Sequence, residues 1–168
     1  ELHGHNTDVL GFAKSMENIL QMIRNRDKHQ NHKSPLPTQA LILGNGGSAK
    51  AVKQALNECN IPHTTLHHGR NLETNEPLST VKIPSHTLIV QTTPVGMWPN
   101  IEAFVDFPFY QLNETHAVID LIYNPVATAF MQKCEDQGAI TINGKIMLNA
   151  QANAAWELFK TAILNNPS

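Results

Sequence analysis

Apolar residues at Val9, Phe12, Ala13, Met16, Ile19, Leu20 and Ile23 recur at spacings of three and four. That rhythm predicts one face of an amphipathic helix. Asp8 stands at its start, where a carboxylate caps free N–H groups and suits the helix dipole. Residues 24–39 are polar and close with Pro35 and Pro37, which predicts a connecting loop. The pattern then changes period. Short apolar runs at residues 40–43, 62–66, 87–91, 117–121 and 139–142 predict strands. Helical spacing fills residues 47–59, about 125–137 and 147–164, with Pro125 placed for a first turn. Strands alternating with helices imply an α/β fold with a doubly wound parallel sheet and right-handed crossovers. One corner is thin. Between His68 and His86 such a fold should supply a helix and a third strand, yet residues 69–85 include Pro77 and Pro84. They have room for an abbreviated turn and a short edge strand.

The chain is organised around Leu41-Ile42-Leu43-Gly44-Asn45-Gly46-Gly47-Ser48-Ala49, an apolar run ending in a glycine-rich turn before a helix. Glycines let backbone turn tightly and approach an anion without a Cβ in the way. The helix that follows aims free N–H groups and the positive end of its dipole at that anion. The spacing Gly-x-Gly-Gly-Ser-Ala falls short of the full dinucleotide fingerprint G-x-G-x-x-G. A tight strand-to-helix turn without a ligand is the alternative for this stretch taken alone.

Composition narrows the classes. The 168 residues suit one domain with a substantial core, and a net charge of −2 suggests neither a nucleic-acid nor a membrane surface. No apolar run approaches the ~20 residues of a membrane span, and no signal peptide is visible. Cys59 and Cys134 lie in helix-like stretches without metal spacing, as expected of reduced core thiols in a cytoplasmic protein. His3, His5, His29, His32, His63, His86 and His116 are scattered, so no metal is expected.

Separated motifs then converge. In order they are Gly4-His5-Asn6-Thr7-Asp8-x-x-Gly11-Phe12, the glycine turn, Thr93-Pro94-Val95-Gly96-Met97 and Asp120-Leu121-Ile122-Tyr123-Asn124-Pro125. Ile142-Asn143-Gly144 and Met147-Leu148-x-x-Gln151-Ala152 follow. Together they resemble the shikimate dehydrogenase family, specifically its nucleotide-binding domain and the flanking helices that bridge to its substrate domain. The resemblance runs from about Gly4 to Phe159. It implies a Rossmann-like domain over residues 36–168 that holds NADP, with NAD possible, and a bridging helix and linker over residues 1–35.

The reaction implied is reversible hydride transfer between NADP and the ring carbonyl of 3-dehydroshikimate. By the same resemblance Asp8 is catalytic and binds substrate beside a lysine, and Tyr123 and Gln151 contact substrate. Gln151 also shares a helical face with Met147, Ala154, Ala155 and Leu158, where an amide needs a partner. Nearby backbone is the alternative partner, and helix capping is the alternative role for Asp8. For the cofactor, Gly44, Asn45, Gly46, Gly47 and Ser48 match the pyrophosphate loop, and Leu121 and Gly144 lie near the nicotinamide. Thr92 and Thr93 end a strand where Rossmann ligands pass, or simply cap the following turn.

Departures from the family are equally specific. Where it reads a 2′-phosphate with Asn-Arg-Thr, this chain has Leu66-His67-His68-Gly69-Arg70-Asn71. Arg70, helped by His67 or His68, is expected to hold that phosphate, unless it is a solvated loop arginine. No acidic residue closes strand two, so the usual NAD ribose partner is missing. Ile146 replaces a glycine and Gln91 an asparagine. The family's catalytic lysine lies upstream of the matched region, and Lys14, Lys33 and Lys145 sit in no matching motif. The expected partners are therefore shikimate or 3-dehydroshikimate and a missing substrate domain, or a second copy, met through the first and last helices. Two other readings are a non-catalytic nucleotide-binding or interaction module and an NAD-dependent quinate/shikimate dehydrogenase.

Overall fold

The computed structural model describes residues 6–30 and 35–165. Gly4 and His5 of the first motif, and His3, His32 and Lys33, lie outside them. Helix α1 spans Thr7–Gln30 and so continues through positions predicted as loop. The reason is local: residues 24–30 contain neither glycine nor proline, and Arg, Lys and Gln are good helix formers. Asn6 accepts the Asp8 N–H at 3.1 Å, so the side chain that caps this helix is Asn6 rather than Asp8.

The remaining elements are β1 (Gln39–Leu43), α2 (Gly47–Glu58), β2 (His63–His67), β3 (Arg70–Asn71), β4 (Thr87–Gln91), β5 (Ala117–Asp120), α3 (Ala129–Glu135), β6 (Ile140–Ile142) and α4 (Lys145–Asn165). They build a six-stranded sheet in the order β3-β2-β1-β4-β5-β6. All pairings are parallel except β2 with β3, so the doubly wound parallel sheet carries one antiparallel edge. That edge is the thin corner. His68 and Gly69 join the two strands with φ of 48° and 69°. Two positive φ values in a two-residue loop are what a type I′ hairpin requires, and a hairpin needs no crossover helix. Helix α3 starts later than Pro125 because Thr128 caps it, accepting the Met131 N–H at 3.1 Å.

Alternation along the strands divides the core in two. Ala40, Ile42, Leu88, Val90, Ala117 and Ile119 face the layer formed by α1, α2 and α4. Leu41, Leu43, Ile89 and Val118 face the other side, closed by α3 and by loop residues such as Leu78, Ile83, Phe107 and Leu112. Phe107, Phe109 and Phe130 meet there at ring-centroid distances of 5.3–5.5 Å. The apolar face of α1 is therefore core: Val9, Phe12, Met16, Ile19 and Ile23 are buried. Gly11 allows α4 to pack closely on α1, since a Cβ there would stand 2.7 Å from the Met147 carbonyl oxygen. The distal half of α4 differs, because Trp156, Leu158 and Phe159 are exposed. Cys134 is buried as expected, whereas Cys59, just beyond α2, is exposed and is no core thiol. Among the described residues no helix is long and apolar enough to cross a membrane.

Phe12→Ala is expected to cost about 3–5 kcal/mol in urea unfolding, the usual toll of emptying a fully buried aromatic site. Trp156→Ala, at an exposed position, should stay within roughly 0.5 kcal/mol.

Candidate functional site

Strands β1 and β4 are neighbours whose connections leave toward opposite sides, which makes the space beyond their carboxyl ends the place for a ligand in an open α/β sheet. A cavity of about 550 Å³ lies there. Leu43, Gly44, Asn45 and Gly46 line it from the end of β1, and Leu66, His67, His68 and Gly69 from the end of β2. Thr92–Val95 and Phe104–Asp106 close it from the β4 side.

The turn at its base is fixed by a clamp. The Leu43 carbonyl accepts both the Thr92 N–H at 2.9 Å and the Thr92 hydroxyl at 2.8 Å. Gly44 sits under that hydroxyl with φ of +112°, and a Cβ would come within 2.5 Å of Thr92 Oγ1. Glycine at 44 is thus demanded by the protein itself. Gly46 is different. Its φ of −80° and ψ of −165° suit any residue, and a Cβ there would meet nothing within 4 Å. A Cβ on Gly47 would likewise meet nothing. Gly46 occupies the N-cap of α2 and offers no side chain to its first-turn N–H groups. Those donors stand open to an anion. Asn45 accepts a hydrogen bond from Lys53 at 3.0 Å, which ties the turn to α2.

A second, smaller cavity of about 170 Å³ gathers Asp8, Ser48, Leu121, Tyr123, Gly144, Met147, Leu148 and Gln151. The three expected substrate contacts, on α1, the loop after β5 and α4, therefore meet in one place. Ser48 lines this cavity and not the larger one, so the glycine turn and first turn of α2 contribute to both. Gln151 Oε1 is buried with no hydrogen-bond partner among the described residues, so backbone does not satisfy it. Tyr123 is half exposed. Gly144 admits no other residue, because a Cβ would fall 2.0 Å from the Leu121 carbonyl oxygen. Its missing side chain keeps Leu121 and the start of α4 together.

Arg70 is placed apart. It does not line either cavity, and its Nη1 donates to the Asn75 carbonyl at 2.9 Å. Thr92 lines the large cavity with its hydroxyl already committed to Leu43, and Thr93 Oγ1 accepts the Val95 N–H at 3.3 Å.

Two residues that the sequence reading named without giving them a role shape the site. Gln91 is fully buried; its Nε2 donates to the Thr93 and Val95 carbonyls at 3.2 Å and its Oε1 accepts the Thr93 N–H at 2.6 Å. It shapes the wall that carries Thr93–Val95. Asp120, also fully buried, accepts the Ile122 N–H at 3.0 Å and the Thr128 hydroxyl at 2.7 Å. Because Thr128 caps α3, this carboxylate holds the loop that bears Leu121 and Tyr123. A polar residue closing an apolar strand was the available signal for both. Burial raises the Asp120 pKa from 3.8 to about 6, against the opposing pull of its two hydrogen bonds. Among the described residues no group of three His, Cys, Asp or Glu could hold a metal ion.

Strand order, a crevice at the switch between β1 and β4, and the glycine turn at its base define a Rossmann-like α/β domain. No protein-family model matches the chain. An NADP(+)-type shikimate dehydrogenase of Desulforamulus reducens is 32% identical over 180 residues, covering 95% of this chain and 58% of that protein. One from Methanococcus maripaludis is 30% identical over 171 residues, covering 93% and 57%. The crystal structure of Thermus thermophilus shikimate 5-dehydrogenase with NADP(H) and shikimate aligns with a TM-score of 0.66 at 26% identity, over 92% of this chain and 56% of that one. A shikimate dehydrogenase in complex with NADP+ gives the same TM-score, identity and coverage. The chain is similar to the shikimate dehydrogenase family over the cofactor-binding portion of its members. It spans about 57–58% of the length of these two curated relatives.

Asp120 makes stability depend on pH with a definite sign. The folded state binds this proton more tightly than the unfolded chain, so its contribution is complete below about pH 4 and is lost as pH rises through about 6. The loss is about 3 kcal/mol from the size of the displacement. Denaturation across this range should show that decline in the parent and a flatter profile in Asp120→Asn.

Proposed function

We propose that the chain binds NADP in the larger cavity and forms the cofactor side of shikimate dehydrogenase chemistry, with Asp8, Tyr123 and Gln151 on the substrate side. The observation that carries this is Gly46: neither the fold's packing nor its backbone angles call for glycine there, whereas a close-lying pyrophosphate does. The residues present fit that group. Gly46, Gly47 and the first-turn N–H groups of α2 receive the anion, and Leu43 and Leu66 offer apolar wall to the adenosine. Bound NADP supplies or accepts the hydride.

The side chains do the rest. Asp8 has a carboxylate in the smaller cavity, positioned to accept a hydrogen bond, and then a proton, from a substrate hydroxyl. Gln151 brings an unpaired buried carbonyl oxygen that a hydroxylated ring can satisfy. Leu121, whose backbone packs against Gly144, lends the smaller cavity apolar surface. The family's lysine has no counterpart among the matched motifs, so a complete site takes that group from outside the matched region. Two similar solved structures bear NADP, one of them with shikimate as well, and support this reading, which also expects a cytoplasmic setting.

The same reading expects the distal half of α4 to meet a partner, either the substrate-bearing part of such an enzyme or a second copy. Trp156 and Phe159 stack there at 6.1 Å while exposed, and no residue of the described chain covers them.

Calorimetric titration with NADP tests the cofactor site. The parent should bind, and Gly46→Val should weaken binding by roughly tenfold or more, since a side chain bars close approach of the anion. Its urea midpoint should stay near the parent's. Equal affinities would remove the turn from the site. Sedimentation across concentrations tests the partner face: association should appear, and Trp156→Ser with Phe159→Ser should suppress it.

A further inference from the structure

We infer that the 2′-phosphate of the cofactor is read in this chain by His67 and His68, so that preference for NADP over NAD is switched by pH. This rests on the cofactor reading above and names the residues that decide between the two dinucleotides. Three observations carry it. First, His67 and His68 line the large cavity at the end of β2, where the adenosine ribose of a Rossmann ligand lies, and their rings stand 3.9 Å apart at 53°. The hairpin places them: His68 takes a φ of 48° in the two-residue turn, which brings two consecutive imidazoles to one rim. Second, the fixed cation nearby is engaged elsewhere. Arg70 pairs across the hairpin with His67, does not line the cavity, and spends a guanidinium N–H on the Asn75 carbonyl. Third, the strand ends without the carboxylate that would favour an unphosphorylated ribose.

The charges around the pair set the direction. Among the described residues Asp106, from the loop after β4, is the one carboxylate lining the same cavity, and Glu76, on the loop after β3, lines a different one near the opposite ends of the strands. Neutral imidazoles leave Asp106 to repel a phosphate. Protonated imidazoles donate charge-assisted hydrogen bonds to it, and histidine is the side chain whose charge ordinarily changes between about pH 5 and 8.

Isothermal titration of the intact chain with NADP and with NAD, at about pH 6.5 and about pH 8, tests this. NADP affinity should rise roughly tenfold or more toward the acid side while NAD affinity stays level. His67→Gln with His68→Asn should abolish the rise, asparagine being tolerant of the left-handed turn. Arg70→Ala should keep it. A NADP-to-NAD ratio unchanged between the two pH values, or a rise that disappears in Arg70→Ala and persists in the double histidine variant, overturns the assignment while leaving the cofactor site standing. Binding of neither dinucleotide at either pH overturns the cofactor reading and this inference together.

Discussion

The crevice depends on one hydrogen-bonded clamp, the Leu43 carbonyl taking both the N–H and the hydroxyl of Thr92. Parallel pairing of β1 with β4 brings those residues level, and the clamp joins the two strands just where each leaves the sheet. Gly44 can pass beneath only because it lacks a Cβ. Once that corner is fixed, Gly46 and the N-terminus of α2 have a single position relative to the loop after β4. Gln91 fixes the wall beyond it, and Asp120 with Thr128 does the equivalent work at the end of β5. Both are polar groups fully withdrawn from water, and each has its hydrogen bonds met by the loop it shapes. Removing one partner would strand the other in the core, the costly kind of polar loss.

The glycines separate into two kinds, and the distinction matters for function. Gly11, Gly44 and Gly144 are filled against, each by a backbone or side-chain atom within 3 Å of where a Cβ would be. Gly46 and Gly47 face open space. A glycine needed only to reverse the chain shows itself by crowding or by a positive φ, as Gly69 does at 69°, and Gly46 and Gly47 show neither. Here the open pair lies at the helix N-terminus, beside the cavity that ends at the histidine rim.

Much of the fold was legible in the chain. The strand runs at β1, β4 and β5 carry unbroken apolar character because they are buried on both faces, and the motifs fell in the right order. The smaller cavity gathers Asp8, Tyr123 and Gln151 from elements far apart in sequence, a convergence that the family resemblance implied and spacing alone could not give. The end of α1 was missed because a polar run without breakers reads as loop when helicity is judged by apolar spacing. The apolar face of α1, expected to help meet a partner, is core because α4 packs on it across Gly11. The hairpin at β3 was hidden for a different reason: a two-residue turn through His68 and Gly69 sets the path of the chain by backbone angles, not by hydrophobic pattern. The same turn decides which basic residues reach the cavity, so Arg70, the natural candidate by charge, ends beside Asn75 instead.

The central claim is that the dinucleotide lies at the carboxyl ends of the strands across the open glycine pair. A second cavity of about 400 Å³, lined by Gln39, Thr64, Glu76 and Lys82 near the amino ends, is the competing location. Amide resonances followed during titration with NADP separate them most directly. The account predicts the largest shifts at Gly46, Gly47 and Ser48, with His67 and His68 moving in step. Shifts confined to residues around Thr64, Glu76 and Lys82, with the glycine turn still, would contradict it.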